Sequence, residues 1–157
     1  MVHSMINWRS KTRFTADIEN LEPIRCLIQE EAQALGVCDD DIYDLMLAAT
    51  ELATNTIEHG YKMQEGWIEI EIGYENTDLV IVLSDGAPKF DPTTVPIPNV
   101  NLPLKERPMR GLGVFITRHM VDEFTYQLDD AGDNQVTLVK KNILYKDKED
   151  ADGNDSQ

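Results

Sequence analysis

The stretch that decides the fold is ELATNTIEHGY, residues 51–61. Its polar members Glu51, Asn55 and His59 recur every four residues, and a step of four residues drifts by only about 40° around an α-helix. The three side chains therefore share one stripe of a helix that we predict from Asp41 to His59. Charged and polar side chains at helical spacing are more often solvated than part of a site. Whether this stripe belongs to a site must therefore be judged from the neighbouring segments.

The flanking segments predict a helical layer and a sheet. Apolar residues with a helical period predict helices at Asp17–Gly36 and Gly111–Asp122. Alternating or continuous apolar runs predict strands at Met5–Phe14, Trp67–Tyr74, Leu79–Leu83, Glu123–Leu128 and Gln135–Asn142. Together they predict an α/β two-layer sandwich, with helices packed on one face of a mixed, mainly antiparallel sheet.

Composition limits the partners of this chain. Its 157 residues include 14 Lys or Arg and 29 Asp or Glu, which gives a formal net charge of -15. An excess of acids repels a phosphate backbone, and this argues against direct binding of nucleic acid. No apolar run approaches the roughly 18 residues of a membrane span. Cys26 and Cys38 lie in separate segments with no metal-ligand spacing, which is typical of reduced thiols in a cytoplasmic protein.

Two further segments carry residues that suit a ligand. The apolar strand at residues 79–83 is followed by Asp85 and Gly86, although an Asp-Gly pair by itself is most often a turn. Five of the seven prolines then lie between Phe90 and Arg110, as in a long functional loop. Gly111 and Gly113 follow at the start of a helix, where free N–H groups suit phosphate oxygens. A lone Gly-x-Gly is weak evidence.

In this order, the three segments resemble the boxes of a known ATPase superfamily. Residues 51–61 resemble its N box, residues 85–92 its first glycine box and residues 111–113 its second. The superfamily includes gyrase, the heat-shock chaperone of that class, histidine kinases and the DNA-mismatch ATPase. Within it, the sequence is most similar to the bacterial anti-sigma-factor serine/threonine kinases. The resemblance implies the histidine-kinase-like ATPase (Bergerat) fold over residues 1–145, and we expect the acidic tail, residues 146–157, to be disordered.

The resemblance also implies a role for individual residues. Asn55 would coordinate the Mg²⁺ that bridges the phosphates of ATP or ADP, and Glu51 would act as the general base toward a substrate hydroxyl. Asp85 would read adenine by accepting a hydrogen bond from its exocyclic amine, with Thr137 on the last strand behind this contact. The other nucleotide contacts are assigned to Ala87, to Lys105, Arg107 and Arg110 of a lid at residues 93–110, and to Gly111, Leu112, Gly113 and Val114.

Two positions depart from the pattern of the family. Most members have glycine at the position of Ala87, whereas here the glycine is shifted to Gly86, so that backbone freedom beside adenine is placed differently. Arg110 occupies a position that is often small. His59 has a counterpart in the family without a derivable role, and we expect a hydrogen-bonded structural histidine.

The implied function is an ATP- and magnesium-dependent serine/threonine protein kinase that acts as an anti-sigma factor. It would phosphorylate an anti-anti-sigma (STAS-domain) partner and bind a sigma factor, and homodimers are known in the family. An alternative from a different class stays open: a nucleotide-binding switch without kinase activity that regulates a phosphatase or another partner by contact. The presence of Glu51 favours the kinase.

Overall fold

A computed structural model of the protein describes residues 5–96 and 109–144, with only the backbone described at residues 109–112. Every predicted helix and strand is present. The tail at residues 146–157 and most of the predicted lid, with Lys105 and Arg107, lie outside the described residues. The elements are β1 (Asn7–Thr15), α1 (Leu21–Ala34), α2 (Asp39–Asn55), β2 (Trp67–Glu75), β3 (Asp78–Asp85), α3 (Met109–Met120), β4 (Glu123–Leu128) and β5 (Asn134–Lys140).

The five strands form one sheet in the order β1-β2-β3-β5-β4. A mixed, mainly antiparallel sheet was predicted, and all four pairings in the described residues are antiparallel. Because β3 lies next to β5, two segments far apart in sequence share a register, with Leu83 opposite Val136 and Asp85 opposite Asn134. The end of β3 and the start of β5 therefore build the same edge of the molecule.

The core lies between the sheet and the helices, as the two-layer prediction requires. On β2, Ile68, Ile70 and Ile72 are buried under the helices, whereas Glu69 and Glu71 alternate with them toward the other face. Helix α2 contributes the fully buried Leu45, one of many side chains whose burial is worth about 1.5 to 3 kcal/mol each. Burial of this kind fixes which face of α2 points inward, and so fixes where its polar stripe lies.

The end of α2 differs from the predicted regular helix. Residues Thr56–Gly60 form a π-helical turn, in which the N–H of Tyr61 donates to the carbonyl oxygen of Thr56 at 2.8 Å. A π-turn contains one more residue than an α-turn, so His59 is rotated relative to the stripe of Glu51 and Asn55. Lys62 follows in the left-handed region, with φ of 53°.

No helix in the described part of the chain combines the length and the apolar character that crossing a bilayer requires.

Candidate functional site

A cavity of roughly 270 Å³ opens between α2, the adjacent ends of β3 and β5, and the segment that follows β3. Much of its wall is apolar, as is usual for a small-molecule site with a few polar groups that fix orientation. The residues that line the cavity include Asn55, Thr56, His59, Lys62, Asp85, Ala87, Lys89 and Asn134.

One wall of the cavity carries a hydrogen-bonded set of residues, the Asp85 cluster, which consists of Asp85, Thr56, Ala87 and Asn134. Oδ1 of Asp85 accepts hydrogen bonds from Asn134 Nδ2 at 2.9 Å and from the N–H of Ala87 at 3.0 Å. Its Oδ2 accepts from Thr56 Oγ1 at 3.2 Å. Burial raises the pKa of Asp85 above its ordinary value of 3.8, against the lowering effect of these three donors. The carboxylate is thus held in one orientation at the end of β3.

Asn134 is the centre of this cluster, although sequence analysis did not identify it. It is buried, and its Nδ2 also donates to the carbonyl oxygen of Ala87 at 2.9 Å. Its Oδ1 accepts from the N–H of Phe90 at 3.2 Å and from the hydroxyl of Tyr126. One side chain thereby joins β4, β5 and the segment after β3. In the sequence, Asn134 directly precedes the predicted strand Gln135–Asn142, where an asparagine is typical of a turn.

The prediction for Thr137 is not supported by its position. Thr137 pairs with Val82 on β3, three residues along β5 from Asn134. Because side chains alternate along a strand, Thr137 shares a face with Val139, whereas Asn134 and Val136 face the cavity. The side chain of β5 that contacts Asp85 is therefore Asn134. Thr137 lies three residues further along β5, so its side chain points to the opposite face of the sheet.

The shifted glycine has a structural reason. A Cβ at Gly86 would lie 2.9 Å from Nε1 of Trp67, so the indole needs a glycine at this position. A Cβ at Gly60 would lie 3.0 Å from the methyl carbon of Ala87. The methyl group of Ala87 therefore occupies space that Gly60 leaves open. A glycine at position 60 thus makes room for the alanine that stands where most members of the family have glycine.

Tyr61 fastens the same region from the other side. Its hydroxyl accepts from the N–H of Gly86 at 2.7 Å and donates to the carbonyl oxygen of Trp67 at 2.8 Å. Burial raises the pKa of Tyr61, so the hydroxyl stays a neutral donor at physiological pH. The segment after β3 is thus anchored both by Tyr61 and by Asn134.

A second group of polar residues, the Asn55 cluster, consists of Glu51, Asn55 and Gly113. A Cβ at Gly113 would lie 3.1 Å from Oε2 of Glu51 and 3.3 Å from Nδ2 of Asn55. The absence of a side chain at this point of α3 therefore lets α2 and α3 approach closely. Within the described residues, Nδ2 of Asn55 is buried without a hydrogen-bond partner. A buried donor of this kind normally has one.

The remaining predicted nucleotide contacts that the structure describes lie on α3. The side chain of Val114 is buried, and it does not line the cavity. Arg110, Gly111 and Leu112 lie in the first turns of α3, where only the backbone is described. His59 lines the cavity, and the described residues do not supply the hydrogen-bond partner that is expected of a structural histidine.

A family model described as the histidine kinase-like ATPase domain matches residues 14–140. The chain belongs to the histidine kinase-like ATPase family. Membership confirms the resemblance and the fold, and it implies ATP or ADP as a ligand.

Comparisons of sequence and of structure both find similar proteins. The serine-protein kinases RsbW of Bacillus cereus and Bacillus anthracis are 27% and 26% identical to this chain, over 90% of it and 89% of their own length. A crystal structure of the RsbU and RsbW domains of a Mycobacterium tuberculosis protein aligns with a TM-score of 0.57 and 19% identity. That alignment covers 84% of this chain and 32% of the other, and it demonstrates the shared fold alone.

Proposed function

We propose that the cavity binds ATP with Mg²⁺ and that the protein transfers the γ-phosphate to a serine or threonine of a protein partner. The observation that carries this proposal is the convergence of Glu51, Asn55 and Gly113 beside a cavity that contains Asp85. The similarity to the RsbW serine-protein kinases supports phosphoryl transfer as the reaction.

Asp85 is the proposed adenine reader. Its carboxylate can accept a hydrogen bond from the exocyclic amine of adenine, and it would repel the carbonyl oxygen that guanine presents at the same position. Asn134, Thr56 and the N–H of Ala87 fix the carboxylate before any ligand arrives. A preorganised acceptor in a largely apolar cavity adds selectivity without the cost of ordering a side chain on binding.

The Asn55 cluster fits magnesium and phosphate. The Asn55 amide offers a hard oxygen ligand, and its unpartnered Nδ2 is a donor that a phosphate oxygen would satisfy. Gly113 keeps the space beside both groups open. Mg²⁺ held by Asn55 would neutralise part of the phosphate charge of the nucleotide.

Glu51 is the proposed general base, because its carboxylate lies one helical turn from Asn55 on the same stripe of α2. From there it would accept the proton of the attacking hydroxyl, or orient that hydroxyl. The backbone N–H groups at the start of α3 and the cations of residues 105–110 complete the proposed phosphate contacts.

We further propose that the partners are an anti-anti-sigma STAS-domain protein, as substrate, and a sigma factor, as the protein sequestered. This extends the resemblance of the sequence to anti-sigma-factor kinases. A cytoplasmic location and a homodimer are parts of the same proposal.

Incubation with γ-labelled ATP, Mg²⁺ and a set of STAS domains tests the reaction. We expect label on a serine or threonine of at least one domain, and none in the presence of EDTA. ATP binding without transfer to any domain would overturn the kinase and leave the nucleotide-dependent switch, whereas absence of ATP binding would overturn both.

A further inference from the structure

Two cations line the cavity and have no partner within the described residues. Lys62 follows the π-helical turn, and Lys89 lies within the segment that Tyr61 and Asn134 anchor. Both residues are exposed, and neither forms an ion pair or a hydrogen bond with another described residue.

This contrasts with every other lysine or arginine whose side chain the structure describes. Each of them contacts an acid or a carbonyl oxygen. The pairs are Arg9 with Glu31, Lys11 and Arg13 with Glu69, Arg25 with Glu22, Lys140 with Asp41 and Asp44, Lys141 with Glu123, and Arg118 with the Thr93 carbonyl. In a chain with 29 acids, two cations at one cavity that have no partner among the described residues require a reason.

The backbone holds both lysines in place. Lys62 and Met63 are non-glycine residues with φ of 53° and 64°, a conformation that is unfavourable for residues with a Cβ and that clusters at ligand sites. Lys89 lies between Pro88 and Phe90, and the N–H of Phe90 donates to Asn134. The two positions are therefore fixed relative to the cavity.

Neither lysine serves to neutralise Asp85. The carboxylate oxygens of Asp85 accept from Asn134, the N–H of Ala87 and Thr56, and neither lysine forms an ion pair with them. The positive charges at the cavity thus remain available to a ligand. A nucleoside triphosphate is strongly anionic, and a protein of net charge -15 repels it over a distance.

We infer that Lys62 and Lys89 bind the phosphate groups of the nucleotide and set the preference of the cavity for ATP over adenosine. The inference rests on the proposed function, since it takes the cavity as the nucleotide site. The two lysines supply local attraction that the overall charge of the protein opposes, and they add to the predicted cations of the lid.

Calorimetric titration of ATP and adenosine into four proteins tests this inference. These are the wild type, Lys62→Gln, Lys89→Gln and the double variant, each with Mg²⁺. We expect each single change to weaken ATP binding by about 3- to 10-fold and the double change by more than about 10-fold. Adenosine binding should change by less than about twofold, and the dependence of ATP affinity on salt should become shallower.

The matched control is Lys11→Gln/Lys141→Gln, which removes the same two charges from residues paired elsewhere on the sheet. We expect it to keep the ATP affinity of the wild type within about twofold. Equal ATP affinity in the two double variants would overturn the inference, and so would a loss confined to phosphoryl transfer to a protein partner. A wild type that binds neither ATP nor adenosine would instead overturn the proposed function itself.

Discussion

The Asp85 cluster and the Asn55 cluster meet at the end of α2, where Thr56 of the first directly follows Asn55 of the second. The two clusters nevertheless differ in how far their polar atoms are paired within the protein. Both oxygens of Asp85 accept hydrogen bonds from protein donors, and Asn134 uses both its amide nitrogen and its oxygen. In the Asn55 cluster, by contrast, a buried amide nitrogen has no partner within the described residues.

Under the proposed function, this difference separates recognition of the base from the chemistry at the phosphates. A group that must distinguish one base from another gains selectivity when it is rigid before binding, because little ordering remains to oppose binding. A group that must hold phosphates and a metal keeps its hydrogen-bonding capacity for the ligand. Under the proposed function, the Nδ2 of Asn55, which has no partner within the described residues, is the cost of a site that is complete only when the nucleotide is bound.

The largest expected effect is on phosphoryl transfer. Glu51→Ala should lower its rate by about 10² to 10⁴-fold while ATP affinity stays nearly unchanged, because a general base acts on the hydroxyl and does not hold the nucleotide. Asn55→Ala should reduce both rate and affinity. Quench-flow rates and calorimetric affinities separate the two variants.

The control for this pair is Glu58→Ala, which removes an exposed carboxylate from the neighbouring π-helical turn. It should leave rate and affinity as in the wild type. Transfer by Glu51→Ala at the wild-type rate would remove the distinction between a chemical and a recognition cluster.

The next largest effect concerns folding. Asn134→Ala would remove the amide donor to Asp85 Oδ1 and to the carbonyl oxygen of Ala87, and the amide oxygen that accepts from the Tyr126 hydroxyl. We expect the free energy of unfolding to fall by about 2 to 4 kcal/mol. Urea denaturation measures it, with Thr137→Ala as the control on the same strand. A loss below about 1 kcal/mol for Asn134→Ala, or an equal loss in both variants, would mean that the Asp85 cluster is not preorganised.

Asp85→Asn should weaken ATP binding by about 1 to 3 kcal/mol, since it removes the charged acceptor. The variant should be no less stable than the wild type at pH 7, because the buried charge is gone and an amide oxygen can still accept from Asn134. Parallel calorimetry and thermal unfolding test both statements. Loss of stability together with loss of affinity would assign Asp85 a structural role.

The raised pKa of Asp85 gives this comparison a pH dependence. A carboxyl whose pKa is higher in the folded state favours folding at pH values below its unfolded pKa of about 3.8, and this contribution is lost as the pH rises through the folded pKa. The stability of Asp85→Asn relative to the wild type should therefore increase with pH. ATP affinity of the wild type should fall as the pH drops through the same raised pKa.

Gly113→Ala should have the smallest effect. The new methyl group would approach Glu51 and Asn55 to about 3.1 and 3.3 Å, so these side chains must shift slightly. We expect affinity for Mg-ATP to fall by about 3- to 10-fold, while alanine, as the better helix former, keeps the stability of α3. Unchanged affinity would show that the close approach of α2 and α3 serves packing alone.

Much of this fold could be predicted from sequence, because helix and strand periods are local properties. The stripe of Glu51 and Asn55 and the position of Asp85 at the end of a strand followed from spacing. Asn134 could not be found in this way, because its role depends on the register between β3 and β5, 49 residues apart. Thr137 was chosen without that register, and an odd offset moved it to the wrong face.

The glycine positions were similarly beyond local reasoning. The sequence showed only that Ala87 departs from the glycine that most members of the family have at this position. The close approach of Gly60 to the methyl carbon of Ala87 explains why alanine fits here. The π-helical turn at Thr56–Gly60 also depends on tertiary contacts, among them the hydrogen bond of Thr56 to Asp85. Contacts between distant segments, rather than propensities, determine the final geometry of the site.

The central claim is that Asp85 reads adenine and Asn55 holds magnesium in one cavity. Calorimetric titration of the wild type with ATP and GTP, each with Mg²⁺ and with EDTA, tests it most directly. We predict that ATP binds at least about 10-fold more tightly than GTP, and that EDTA weakens ATP binding by a similar factor or more. Equal affinity for ATP with and without Mg²⁺, or tighter binding of GTP, would contradict the account.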